Sequence, residues 1–219
     1  MTLNTLLLDA GNTIVYLDHD VVGDIVGLDA DGLREAEGVA KRRYEERLQR
    51  SRNHEDGWRV FVGGLLESAG ATGDIDAQVT RLRAIHDEKN LWRRVPSELP
   101  AALQRIRDAG WHVGIVSNSE GRLVEILETV GVLRFFDVVI DSGVVGVSKP
   151  DPRIFELALE ALGVGPSSAI YAGDVPDVDV VGARAAGMDA VLIDTLDHYP
   201  DYVEAPRFQK TATFIDSLL

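Results

Sequence analysis

Residues 169–194 read Ala-Ile-Tyr-Ala-Gly-Asp-Val-Pro-Asp-Val-Asp-Val-Val-Gly-Ala-Arg-Ala-Ala-Gly-Met-Asp-Ala-Val-Leu-Ile-Asp, and their pattern decides the fold. The spacing predicts an apolar strand over Ala169–Tyr171, a polar turn, a helix over Val180–Ala186 and a second apolar strand over Ala190–Ile193. Gly187 stands where a helix C-cap belongs. Neither strand alternates apolar with polar residues, so each needs cover on both faces. Short apolar strands joined by a helix therefore predict a parallel βα architecture.

The same unit repeats towards the N-terminus. Helix Arg153–Leu162 and Gly163 lead into the strand at 169. Helix Arg122–Val130 and Gly131 precede a strand at Val138–Ile140, and helix Glu98–Ala109 and Gly110 precede one at Val113–Val116. Leu6-Leu7-Leu8 opens the series. The expectation is a doubly wound, three-layer Rossmann-like α/β core around a parallel sheet of about five strands. The tail after Asp194 reads as irregular, with a weak closing segment at Ala212–Leu219.

Residues from about Val21 to Asn90 break the pattern. Leu33, Ala36, Ala40, Tyr44 and Leu48 recur at helical spacing, Trp58, Val60, Phe61, Leu65 and Leu66 form a second helical face, and Asp76–Lys89 a third. Trp58 and Phe61 read as core of this helical part. The basic run Lys41-Arg42-Arg43, with Arg47 and Arg50, reads as a solvated face paired with Glu45 and Glu46. The organisation predicted is an α/β core of residues 1–16 and 94–219, with a helical insertion at 17–93.

Composition narrows the chemistry. The absence of cysteine in 219 residues removes disulfides, thiolate metal sites and thiol nucleophiles. A net charge of −14 disfavours nucleic acid and anionic membrane as partners. No apolar run approaches the ~18 residues of a membrane span, and Met1–Leu8 lacks the basic region of a signal peptide. A cytoplasmic protein, monomeric or homodimeric, is expected.

Ligands of open parallel sheets bind at the carboxyl ends of the strands. Asp9 ends the first strand, Ser117-Asn118 the second, and Gly173-Asp174 the fourth, with Asp177 and Asp179 close behind; Lys149 precedes a helix. Clustered carboxylates repel one another unless a hard cation relieves them, and magnesium prefers that oxygen environment. Lys149 adds a fixed positive charge and Ser117 a neutral donor, an electrostatic clamp suited to a phosphoryl group. Ser117-Asn118 also reads as a helix N-cap, and Asp177 as a solvated loop acid.

Four segments carry a resemblance. Leu6-Leu7-Leu8-Asp9-Ala10-Gly11-Asn12-Thr13, Ile115-Val116-Ser117-Asn118, Lys149-Pro150-Asp151-Pro152 and Gly173-Asp174 through Asp179 resemble, in order, the four motifs of the haloacid dehalogenase superfamily. The insertion resembles the helical cap that one subfamily places after its first motif. The resemblance implies a magnesium-dependent (Mg2+) hydrolase, a phosphatase of a small phosphorylated metabolite working through an aspartyl-phosphate. It implies Asp9 as nucleophile and metal ligand, Gly11 (through its carbonyl), Asp174 and Asp179 as further metal residues, and Ser117 and Lys149 gripping the phosphoryl oxygens. Thr13 and Asn118 join them on the substrate side, with Thr13 buttressing the turn after the first strand.

One position departs from the motif. The phosphatases of the superfamily carry a second Asp two residues after the nucleophile, which protonates the leaving group and activates water. Here that position is Gly11. The expected substitutes are His54, Glu55, Asp56 or His86 of the insertion, or else a substrate with a good leaving group. The alternative is a metal- or phosphate-binding regulatory protein with attenuated turnover; dehalogenase or phosphonate-hydrolase activity ranks below both, since Gly11 matches neither subfamily.

Overall fold

The computed structural model describes residues 3–50 and 57–219. They divide into two compact units, one of residues up to Tyr16 together with Arg93–Leu219, the other Leu17–Trp92. The expected candidates His54, Glu55 and Asp56 lie outside the described residues.

The first unit is the α/β core. Its strands are β1 (Thr5–Leu8), then β4 (His112–Ser117), β5 (Val138–Asp141), β6 (Ala169–Gly173), β7 (Asp189–Ile193) and β8 (Arg207–Phe208). The short β2 (Tyr16–Leu17) and β3 (Trp92–Arg94) pair with each other where the chain passes between the units. The large sheet runs β5-β4-β1-β6-β7-β8, with every neighbouring pair parallel. The sixth strand was not expected. β8 is only two residues long, too short to show a period, and its register with Leu192 and Ile193 comes from tertiary pairing.

Leu6, Leu7 and Leu8 are wholly buried, each contributing about 1.5–3 kcal/mol by leaving water. Leu7, Val116, Phe155, Tyr171 and Leu192 meet in one core cluster. The connecting helices are α5 (Leu99–Asp108), α6 (Leu123–Thr129), α7 (Ser142–Val145), α8 (Pro152–Leu162), α9 (Val181–Ala185) and the closing α10 (Thr211–Asp216). The start of α8 shows the local logic. Asp151 accepts a bond from the Arg153 amide (2.9 Å), and Pro152 fills the first helical position, where no amide proton is needed.

The second unit holds α1 (His19–Val26), α2 (Ala30–Arg50), α3 (Gly57–Ser68) and α4 (Ile75–Glu88) around an apolar core that includes Leu33, Ala40, Phe61, Leu65 and Leu82, with Trp58 packed against it. One expectation needs correction. Lys41 is buried rather than solvated, although Arg42 and Arg43 are exposed and Arg43 pairs with Glu67 at 2.8 Å. Lys41 sits on the face of α2 that carries Ala40 and Glu37 into the interior; its long aliphatic stem suits that position. His19 and Glu37 form a buried pair at 2.8 Å within this unit.

Candidate active site

The turn after β1 is tightly bonded: the amides of Ile14 and Val15 both donate to the Ala10 carbonyl at 2.9 Å, and Asn12 takes a left-handed conformation (φ 53°). Asp9 enters this turn buried, its amide held by the Ala172 carbonyl of β6 at 2.9 Å. β1 lies between β4 and β6, so Asp9 stands between Ser117 and Asp174, the residues at the ends of those neighbours.

Lys149 joins the ends together. Its ammonium donates to Asp9 Oδ1 (2.6 Å), Asp179 Oδ1 (2.6 Å) and the Tyr171 hydroxyl (3.0 Å), and it is buried. Asp174 completes a cluster in which Asp9, Asp174 and Asp179 bring carboxylate oxygens within 4.8 Å of one another. Three buried acids thus crowd together, two of them paired with one ammonium. Burial, reinforced by Asp179 and Asp174, raises the Asp9 carboxyl from 3.8 to about 7 against the opposing pull of Lys149. Burial by itself would lower the Lys149 ammonium, but the attraction of Asp179 and Asp9 outweighs it and holds the group above the ordinary lysine range.

Asp179 comes back into the site through a π-helical turn, Pro176–Val180, a form often found at functional positions. Its Oδ2 accepts from the Val175 amide (2.9 Å), while Oδ1 serves Lys149 and Tyr171. Both oxygens are engaged, so this carboxylate holds the lysine. A Cβ at residue 173 would stand 2.3 Å from Asp179 Cγ, which is why Gly173 must be glycine. At Gly182 a Cβ would meet Phe155 at 2.7 Å and Pro150 Cα at 3.0 Å; glycine there lets α9 lie against the loop carrying Lys149.

Two residues expected on the substrate side also make structural contacts. Asn118 clamps the Lys149 backbone, accepting from its amide (2.8 Å) and donating to its carbonyl (3.0 Å). Thr13 is wholly buried, and its carbonyl accepts from Thr211 Oγ1 at 2.5 Å and from the Tyr16 hydroxyl at 3.2 Å. Asn118 therefore aims the lysine, and Thr13 buttresses the turn through its backbone. The expected N-cap at Ser117-Asn118 is supplied instead by Asp141, whose Oδ2 accepts from the Leu123 amide at 3.0 Å. Ser117 itself is buried at the end of β4, in register with Asp141. Asp177 is exposed, as expected. His86 is engaged inside its own unit: its ring lies 4.6 Å from that of Trp58, and its Nδ1 accepts from the Leu91 amide at 3.3 Å. A Cβ added to Gly11 would meet nothing within 4 Å.

Tyr171 was missed by the sequence reading. A tyrosine within Ala-Ile-Tyr-Ala-Gly looks like strand core; the only signal was a phenol in an otherwise non-polar run that ends at Gly173-Asp174.

Comparison with known proteins fits this geometry. A family model described as a haloacid dehalogenase-like hydrolase matches residues 3–187. The haloacid dehalogenase-like hydrolase domain-containing protein 3 of Bos taurus is 32% identical over 88% of this chain and 82% of its own length. A phosphoserine phosphatase of Thermus thermophilus is 38% identical over 62% of this chain. The match spans only 53% of that relative's length. Among solved structures, a HAD phosphatase from Thermococcus onnurineus superposes over 99% of this chain and 98% of its own, with a TM-score of 0.62 at 24% identity, a likeness of fold.

Proposed function

Because this chain belongs to the haloacid dehalogenase-like hydrolase family, we propose that it is a phosphatase of small phosphorylated metabolites, with Asp9 as nucleophile and magnesium as its ion. The carrying observation is the cluster itself: three buried carboxylates and one ammonium, converging on the central strand ends. An all-oxygen, net-anionic donor set fits a hard divalent cation. Asp9, Asp174 and the Gly11 carbonyl are the groups that would hold it, with Asp179 held back to the lysine. When bound, the ion neutralises charge on the transferring phosphoryl group.

The rest is the work of the chain's own residues. Lys149 fixes Asp9 Oδ1, and the other carboxylate oxygen attacks phosphorus. A P–O bond to Asp9 forms as the P–O bond to the leaving group breaks. Ser117 and the Lys149 ammonium stabilise the phosphoryl oxygens during transfer. Water then attacks phosphorus and gives up a proton to solvent as the bond from the Asp9 oxygen to phosphorus breaks, and inorganic phosphate leaves with the carboxylate restored. The helical unit, as a cap, would exclude bulk water and set specificity.

Gly11 shapes the substrate choice. Without an acid there, protonation of the leaving group goes unaided, and such help is worth roughly 10² to 10⁴ in rate. Acyl and aryl phosphates, whose leaving groups need little protonation, are the preferred class. The experiment is a leaving-group series with magnesium, run on the wild type, Asp9→Asn and Gly11→Asp. We expect aryl phosphates to be hydrolysed well above alkyl phosphates, Asp9→Asn to be silent, and Gly11→Asp to narrow the gap. Equal wild-type rates across the series would defeat the leaving-group reading, and turnover by Asp9→Asn the nucleophile.

A further inference from the structure

An ammonium has three protons, and Lys149 directs all three inward: to Asp9 Oδ1, Asp179 Oδ1 and the Tyr171 hydroxyl. Two of these acceptors are acids whose charge draws a lysine without further help. The third is neutral. Tyr171 is wholly buried on β6, its ring edge-on to Phe155 with centroids 4.9 Å apart. A phenylalanine would fill that space equally well, and a buried hydroxyl that lacked partners would be costly. Two partners of this hydroxyl, Lys149 and Asp179, belong to the site, and the third is the backbone of the strand that ends at Ser117. The hydroxyl lies 2.9 Å from Asp179 Oδ1 and 2.9 Å from the carbonyl of Val116, the residue before Ser117. With a single proton it donates to one of these at a time, while accepting from Lys149.

Two ion pairs leave the end of a flexible four-carbon stem free to swing about the axis joining the two acids; a third contact limits that swing. We propose that Tyr171 is a positioning residue, holding the Lys149 ammonium between Asp9 and Asp179 so that its charge stands at a set distance from Asp9 and from the phosphoryl group that Asp9 attacks. It touches no substrate and acts through Lys149, whose backbone Asn118 secures from the other end. The inference rests on the phosphatase reading above, and its consequence is specific: losing the hydroxyl should impair the chemical step and spare ground-state binding.

The test is a cycle of Tyr171→Phe, Lys149→Met and the double variant in the full chain, with 4-nitrophenyl phosphate and magnesium chloride as probes. Tyr171→Phe should lower kcat by about tenfold, a size expected of a slightly misaimed group, and leave KM within about threefold. In thermal unfolding without magnesium, removing the hydroxyl from Lys149→Met should shift Tm by less than about half of its effect in the wild type, since coupled partners are not additive. An unchanged kcat, or a change in KM alone, overturns the inference and leaves the phosphatase reading standing. A wild type that turns over no phosphate ester removes the phosphatase reading instead; the unfolding cycle then decides, and additive Tm shifts overturn the coupling of Tyr171 to Lys149.

Discussion

Four aspartates follow or end strands at the carboxyl edge of the sheet. Asp9 and Asp174 lie at its centre, after β1 and β6; Asp141 and Asp194 lie towards its flanks, on β5 and after β7. Burial does not separate them, at 6%, 6%, 4% and 1% exposed. Their partners do. Asp141 accepts from the amides of Gly121 (3.0 Å), Leu123 (3.0 Å) and Gly143 (2.9 Å), tying the starts of α6 and α7 to β5. Asp194 accepts from the amides of His198 (2.8 Å) and Tyr199 (2.9 Å) and from Arg207 (2.9 Å). The flanking carboxylates are neutralised by backbone dipoles and a rim arginine. At the centre, Lys149 pairs with Asp9 and Asp179 while Asp174 brings a third carboxylate oxygen within 4.8 Å of theirs, and this crowding of negative charge is what a divalent cation would answer before an anionic phosphoryl group could approach. A buried acid thus marks a site when other buried acids crowd against it, not through burial itself.

The largest effect expected from this contrast follows removal of the central cation. Lys149→Ala leaves buried charges uncompensated and should cost about 3–5 kcal/mol in denaturant unfolding without magnesium. Arg207→Ala at the flank, where Asp194 keeps its two amides, should cost at most about 1 kcal/mol. Similar losses for the two would break the comparison.

pH sharpens it next. The Asp9 carboxyl is raised from 3.8 to about 7, so between these values the folded chain holds a proton that the unfolded chain has released. The stabilisation is full below pH 3.8 and is lost as pH rises through about 7. Magnesium competes with that proton. Its affinity should therefore rise with pH across the window, with proton release visible as a buffer-dependent heat in calorimetry. Affinity independent of pH between these limits would contradict a protonated Asp9 in the cation-free chain.

Asp141→Ala should lose about 1–3 kcal/mol through three orphaned amides and leave magnesium binding unchanged. Asp174→Asn should do the reverse, keeping or raising the stability of the metal-free chain by easing repulsion while abolishing the calorimetric magnesium signal. Equal destabilisation by the two would erase the distinction between centre and flank. The smallest effect belongs to Gly11→Asp: the added side chain enters open space, so unfolding should shift by no more than about 0.5 kcal/mol.

The core was legible because its signals are local. Apolar strands punctuated by Gly110, Gly131, Gly163 and Gly187 reveal βα units, and the topology then puts Asp9, Ser117 and Asp174 on one edge. What escaped depends on contacts between distant elements. Nothing in Ala-Ile-Tyr-Ala-Gly says that the phenol meets Lys149, and nothing near Asp141 says that it caps a helix starting eighteen residues earlier at Leu123. Asn118 stands beside Ser117 in the sequence and so reads as a substrate group, but the Lys149 backbone claims its amide. Lys41 reads as solvated because charge in a helix defaults to the surface; its burial follows from the face of α2 on which it sits. Strand ends can be read from periodicity, whereas the partners that give each end its role come only from the fold.

The most direct measurement is rapid-quench mass spectrometry of the chain during turnover of an aryl phosphate with magnesium. A phosphoryl group on the peptide containing Asp9, forming and decaying at the rate of turnover and absent from Asp9→Asn, is the predicted result. Sustained turnover with that peptide never modified, or retained by Asp9→Asn, would contradict it.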